Sequence, residues 1–195
     1  MFGAPWALCG GWAVDAWLGK DTRDHGDVDV MVFAEDHWAL FDHLSGWQLI
    51  AHGPGATDDS TDLWDGRAVD LPGHIHGRLD DGEPIPDNLA DAASLGFDLD
   101  IQLSDRNGED WVLSREPHLT VPISEAIQQS PLGVPTVVLE VLLFHKSGLW
   151  PKDRQDFRTA RPRLTDRQRQ WLRNAIAVVG HPWLNLLNGD LINSR

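Results

Sequence analysis

The chain has 195 residues and a formal net charge of −14, with 30 acidic against 16 basic side chains. That balance argues against duplex nucleic acid or an anionic membrane as a partner, since both call for basic surface. With 42% hydrophobic residues a packed core is feasible, at a length suited to one domain or one domain with a small appendage. The lone Cys9 excludes an intrachain disulfide and suits a reducing cytoplasm. Met1 to Pro5 lacks the basic region and apolar core of a signal peptide. The longest apolar run, around Val137 to Phe144, is broken by Glu140 and is too short to span a bilayer. A cytoplasmic protein is expected. Its acidity fits a cationic substrate, and fits ordinary solubility equally well.

In chain order, Trp6 to Cys9 is a short apolar run ending in glycines and reads as a buried first strand. Trp12 to Leu18 is apolar nearly all round, which implies a helix buried on most sides. Asp15 is its polar exception, read as a hydrogen-bonded helix residue, and Gly19 is the expected C-cap. Lys20 and Arg23 follow in a loop. They are candidates for the cations a triphosphate requires, or are solvated loop charges. His25 is read as a polar structural residue rather than an acid–base group. From Asp27 to Phe33, Asp27 and Asp29 alternate with Val28, Val30 and Val32, so a strand places both carboxylates on one face. Such a pair is a natural seat for Mg²⁺. The glycines Gly10 and Gly11 open the preceding helix, and bare amides at a helix N-terminus bind phosphate. The combination points to metal-assisted chemistry on a nucleotide.

Glu35 to Leu44 carries apolar residues at 38, 40, 41 and 44, the spacing of an amphipathic helix with an acidic first turn. Trp47 to Ala51 reads as a strand, and His52 with Gly53-Pro54-Gly55 as a loop. His52 receives no role. His74 and His76 are placed on a loop without a third nearby ligand and read as incidental, as are Asp80 and Asp81. Phe97 to Leu103 is a second acidic strand, with Asp98, Asp100 and Gln102 sharing one face. Asp105 to Gly108 is a hairpin turn, and Trp111 to Leu113 the returning strand. Beyond Pro117 and Pro122 the chain reads helical. One helix starts at Pro135-Thr136, runs from Val137 to Ser147 and ends at Gly148. A second runs from Pro151 to Thr159. A third begins at Thr165-Asp166 with Trp171, Leu172, Ala175, Ile176 and Val179 on one face. His181 to Leu184 closes the core.

The strings Gly10-Gly11-Trp12-Ala13-Val14-Asp15, Leu18-Gly19 and Arg23-x-His25-x-Asp27-Val28-Asp29 together resemble the nucleotidyltransferase superfamily of the DNA-polymerase-β type. The aminoglycoside and lincosamide adenylyltransferase branch is the most similar. The tail resembles small bacterial members of that branch through Glu140, Lys146, Lys152-Asp153-x-x-Asp156-Phe157 and His181-Pro182-Trp183-Leu184. The likeness is vaguer between about 53 and 95. Members of the branch carry a helix before the first strand, so either that helix is absent here or the start is truncated.

The resemblance implies an α/β (α+β) fold: a small mixed-sheet nucleotidyltransferase core over residues 1–118, then a helical C-terminal subdomain over 119–195. It places a third carboxylate on the second acidic strand. Asp98 and Asp100 share that face, so both stay open, with Asp98 favoured. Lys146 and Lys152 would aim at the nucleotide. For Lys146 the helix dipole alone is an alternative reason, and for Lys152 a surface ion pair.

The implied activity is Mg²⁺-dependent and uses two ions held by Asp27, Asp29 and the third carboxylate. A nucleoside monophosphate, AMP from ATP foremost, would pass to a hydroxyl of a small molecule with release of pyrophosphate. Gly10 and Gly11 would hold the phosphates, with Lys20, Arg23, Lys146 and Lys152 as nucleotide contacts. An aminoglycoside-type antibiotic is the leading acceptor, which would make the activity one of antibiotic resistance. Three alternatives stand beside this: a toxin-like transferase acting on RNA or protein, a non-catalytic nucleotide-binding module, and a metal-dependent phosphohydrolase.

Overall fold

The computed structural model describes residues 2–53, 63–79, 98–146 and 150–187. Asp80, Asp81, Phe97, Ser147 and Gly148, singled out above, lie outside the described residues, as do Pro54 and Gly55. The first half runs β1 (Trp6–Leu8), α1 (Gly10–Leu18), β2 (Val28–Phe33), α2 (His37–His43), β3 (Trp47–His52), β4 (Gly73–Leu79), β5 (Leu99–Asn107) and β6 (Asp110–Val112). The second half runs β7 (Thr120–Pro122), α3 (Ile123–Ala126), β8 (Ile127–Gln129), β9 (Pro135–Val137), α4 (Leu139–His145), α5 (Pro151–Ala160), α6 (Asp166–Val178) and α7 (Leu184–Leu187).

The strands form a mixed sheet in the order β3-β4-β5-β2-β1-β9-β8, with β6 and β7 continuing from the far end of β5. β2 sits at its centre, antiparallel to β1 and parallel to β5. The period-two alternation of β2 supplies both faces of the sheet. Met31 and Phe33 pack with α1, α4 and α6 through Val14, Leu142, Phe144 and Ile176. Val32, with Val30 beside it, packs on the other face with Leu40 of α2, Leu49, Ile75 and Ile101.

Local signals explain several element ends. Gly19 takes a left-handed φ of 66° and donates its N–H to the Asp15 carbonyl, the αL stop that glycine adopts without a Cβ penalty. Pro151 opens α5, and Thr165 with Gln168 forms a reciprocal capping box at the start of α6. No helix of the described residues is long and apolar enough to cross a membrane.

Two regions differ from the sequence reading. The residues from Gly73 to Leu79, read as loop, form β4 between β3 and β5, so His74 and His76 lie on a strand inside the sheet. The chain from 119 to 137, read as helical, contributes β7, β8 and β9. β9 pairs parallel with β1 at Leu8 and Thr136. The helix expected from Val137 starts two residues later and ends at His145. The sheet and one hydrophobic core both cross residue 118.

Candidate active site

Strand register builds the site. β2 and β5 pair Asp29 with Asp100, and β5 and β4 pair Asp100 with His76. Directly paired residues point to the same face, so Asp29, Asp100 and His76 form one row across the sheet. The next row on that face is Met31, Gln102, His74 and His52. Asp27 lies just before β2 and completes a carboxylate group: Asp27, Asp29 and Asp100 offer oxygens within 4.8 Å of one another.

Three like charges at this range oppose one another's ionisation. Burial, then the charge of Asp27, raises Asp29 above the usual carboxylate value. Burial, then the charges of Asp29 and Asp27, pushes Asp100 up to about 7. The Asp100 Oδ1 atom is buried and has no hydrogen-bond partner among the described residues. It stands 3.9 Å from His76 Nε2, beyond hydrogen-bond distance. Hard oxygen donors that repel one another, one of them orphaned, fit a hard dication such as Mg²⁺.

Asp98 stands apart from this group. It precedes β5, and its carboxylate accepts the Leu79 N–H at 3.3 Å, outside the group that gathers Asp27 and Asp29. The third carboxylate of that group is Asp100. Which of the two acids lies level with Asp29 is decided by the pairing of Val28 with Leu99.

The glycines open space for side chains. Gly10 has φ +61°, and a Cβ there would fall 1.8 Å from Asp29 Oδ2. Its absence lets Asp29 lie over the start of α1, where the Gly11 N–H donates to it. A Cβ on Gly11 would fall 2.2 Å from an Arg23 nitrogen and 2.4 Å from the His25 ring. His25 is held in turn by Asp15, whose Oδ2 lies 2.7 Å from Nε2. Asp15 also accepts the N–H and hydroxyl of Thr22. Asp15 and His25 are thus tied to each other beside the start of β2.

The expected nucleotide cations divide. Arg23 donates twice to Asp156, at 2.9 and 3.3 Å, and Lys146 Nζ meets the same carboxylate at 2.6 Å. Burial alone would raise Asp156, but the Arg23 bond and the Lys146 charge hold it below the usual range. This node joins the loop before β2 to α5 and the end of α4. It leaves both cations on the wall of a cavity of about 630 Å³ that also exposes Asp29 and Asp100. A second cavity, of about 380 Å³, is lined by Asp27, His25 and His76. Arg23, Asp29 and Lys152 border both cavities. Lys152 is exposed, and its charge lowers Asp29 and Asp100. Lys20 is exposed beyond Gly19, at the opposite end of α1 from the glycines, and lines neither cavity.

Residues 1–52 match the family model described as aminoglycoside-2''-adenylyltransferase. The structure is similar to the solution structure of the antibiotic-resistance factor ANT(2'')-Ia, with a TM-score of 0.53 and 19% identity over 89% of this chain and 82% of that one. The chain shares the fold of that structure. The crystal structure of ANT(2'')-Ia in complex with adenylyl-2''-tobramycin gives a TM-score of 0.52 and 19% identity, over 89% of this chain and 87% of the other. The lincomycin-bound lincosamide antibiotic adenylyltransferase LnuA gives 0.50 and 18%, over 80% and 85%. No curated protein matches the chain by sequence.

Within this fold the larger cavity is bordered by further residues to which the sequence reading gave no role in a site. Arg115 donates to the His145 carbonyl at 2.7 Å and borders the cavity. Trp111 stacks on His145 with ring centroids 5.4 Å apart, and burial holds His145 down to about 4. Trp150 is 64% exposed and borders the same cavity. An exposed tryptophan just before the helix-opening Pro151 was the one local hint.

Proposed function

We propose that the protein is a Mg²⁺-dependent nucleotidyltransferase that moves AMP from ATP to a hydroxyl of a small, cationic acceptor of the aminoglycoside type, releasing pyrophosphate. The observation that carries this reading is the convergence of Asp27, Asp29 and Asp100 where the two cavities meet, beside the start of α1. The match of residues 1–52 to the aminoglycoside-2''-adenylyltransferase model supports it, and so does the acidic surface, which would steer a polycation inward.

In this reading Asp27, Asp29 and Asp100 would hold two Mg²⁺ ions. When bound, the ions supply charge neutralisation for the phosphates and a lowered pKa for the attacking hydroxyl. The chain does the positioning. Gly10 and Gly11 keep the helix start clear of side chains. Lys146, Lys152 and Arg23 supply positive charge for the triphosphate, which matters most as charge builds on the leaving pyrophosphate. The acceptor oxygen would form a bond to the α-phosphorus as the bond to pyrophosphate breaks, and Asp100 would take the hydroxyl proton. The N-terminal part of the chain would then carry the metal seat, and the part after residue 118 the lysines.

The test is pyrophosphate release from Mg²⁺ and ATP across a panel of aminoglycosides and lincosamides, with product mass confirming one added AMP. Tight Mg²⁺-dependent ATP binding without pyrophosphate release from any acceptor would reject transfer and leave a nucleotide-binding module. Release only with RNA or a protein would reassign the acceptor.

A further inference from the structure

The second row of the site face holds chemistry that nucleotidyl transfer does not use. His52 on β3 pairs directly with His74 on β4, and His76 lies two residues further along the same face. Their rings form a nearly equilateral triangle, with centroids 4.9, 4.8 and 4.8 Å apart. Each offers a ligand nitrogen within 4.8 Å of the others, and all three are half-buried. Rings face one another here because two adjacent strands fix the spacing, so the cluster is a property of the sheet and not of a mobile loop.

We infer that His52, His74 and His76 form a second cation site, separate in chemistry from the carboxylate seat, for a borderline transition-metal dication of the zinc type. Three imidazoles suit Zn²⁺, Co²⁺, Ni²⁺ or Cu²⁺, whereas Mg²⁺ prefers oxygen. Zinc–nitrogen bonds of about 2.0–2.1 Å put tetrahedral ligand atoms ~3.3–3.4 Å apart. Ring rotation on fixed strands supplies that closure. Three protein ligands leave a fourth position open to water or a substrate atom. There is room beside the cluster for such a group, because His74 borders the larger cavity and His76 the smaller one. The metal would also tie β3 to β4 and set a positive charge beside Asp100, 3.9 Å from His76 Nε2.

The inference does not depend on the transfer reaction, and its test needs no substrate. Chelator-treated full-length protein is titrated with Co²⁺ in millimolar Mg²⁺, which occupies the carboxylates, and the visible d–d absorption is followed. A single equivalent with the intense absorption of a tetrahedral site is expected, displaced by Zn²⁺ but not by added Mg²⁺. Asp29→Asn should retain it. His74→Ala and, separately, His52→Ala should lose it. Removing a group that only hydrogen-bonds a metal ligand costs about 10–100-fold in metal affinity, so loss of a ligand should cost at least roughly 100-fold. Circular dichroism on each variant separates loss of the site from loss of fold. Wild-type protein that takes up no Co²⁺ beyond what Mg²⁺ displaces would overturn the inference. So would uptake that Asp29→Asn abolishes and folded His74→Ala keeps.

Discussion

Two sets of aspartates in this chain are treated in opposite ways. Asp15 and Asp156 are buried and fully partnered: Asp15 by Thr22 and His25, Asp156 by Arg23 and Lys146. Asp27, Asp29 and Asp100 are gathered with one another, and burial and mutual repulsion raise Asp29 and Asp100. A buried charge is costly unless it is paired and hydrogen-bonded. The first set meets that cost inside the fold. The second does not, and on the proposed function bound Mg²⁺ would complete it. On the proposed function the difference separates aspartates that hold the cleft together from aspartates that would act in it.

The sharpest way to break the comparison is to neutralise one member of each set. Asp100→Asn should lower transfer by about 10³-fold or more, since roughly 4 kcal/mol of transition-state stabilisation corresponds to three decades. It should leave the fold intact and stabilise the metal-free protein, because it removes repulsion and not packing. Initial-rate assays and thermal melts on the same preparation read both effects. A folded variant with wild-type turnover under Mg²⁺ would remove Asp100 from the site.

Asp156→Asn should do the reverse. Breaking a buried ion pair costs about 3–5 kcal/mol, and the lower end applies here because Arg23 and Lys146 keep some contact with solvent. Urea unfolding should show the loss directly. The pH sign follows from the depressed Asp156: its contribution is complete above the ordinary carboxylate range and disappears as pH falls through its lower folded value. A variant as stable as wild type would show that the node only decorates the cleft wall.

Legibility in the sequence cut across the two sets, with members of each being readable. Asp15 sits in a helix that is apolar nearly all round, so a partnered, structural acid is the expected outcome, and Asp27 with Asp29 announces itself through strand alternation. The third carboxylate was not legible, because Asp98 and Asp100 share a face and only long-range register brings Asp100 level with Asp29. β4 escaped for a different reason. Gly73 and Gly77 stand on the face that buries Ile75, and glycine and histidine carry little strand signal. The histidine cluster depends on that unseen strand. β7, β8 and β9 are three residues each, too short for a period to emerge, and Pro135 at the start of β9 mimics a helix opening. The Gly10-Gly11 pair was legible as a special turn. That Gly10 makes room for Asp29, and Gly11 for Arg23 and His25, required the side chains.

A smaller effect sharpens the comparison through pH. Asp100 titrates near 7 in the folded protein and near 4 when unfolded, so the metal-free fold should lose stability as pH rises between those values. The Asp156 contribution runs the opposite way and lies lower. Mg²⁺ offsets the Asp100 penalty, and proton competition weakens it in acid. At tenfold excess over its dissociation constant Mg²⁺ should add about 1.4 kcal/mol, roughly 3–6 °C in melting temperature for a chain of this size. The rise should be clear at about pH 8 and shrink at about pH 5. Equal rises at both would mean that the ion does not displace a proton from this group.

The smallest expected effect belongs to Asp98→Asn, and it discriminates between two acids that the sequence could not separate. Asp98 lies before β5, with its backbone already engaged: its carbonyl accepts the Val28 N–H and its N–H donates to Gly77, each at 2.9 Å. The carboxylate adds one bond from Leu79 at 3.3 Å in an exposed setting. An asparagine side-chain oxygen can accept the same bond, so stability should change by no more than about 0.5 kcal/mol, the range of an ordinary surface substitution. Transfer should stay within about twofold of wild type, since a residue outside the carboxylate group contributes only a distant charge that solvent screens. Parallel assays of Asp98→Asn and Asp100→Asn under saturating Mg²⁺ and ATP read the contrast as a ratio. A ratio near one, with both variants folded and both impaired, would mean that Asp98 reaches the reacting centre and that the register of β5 against β2 changes when nucleotide binds.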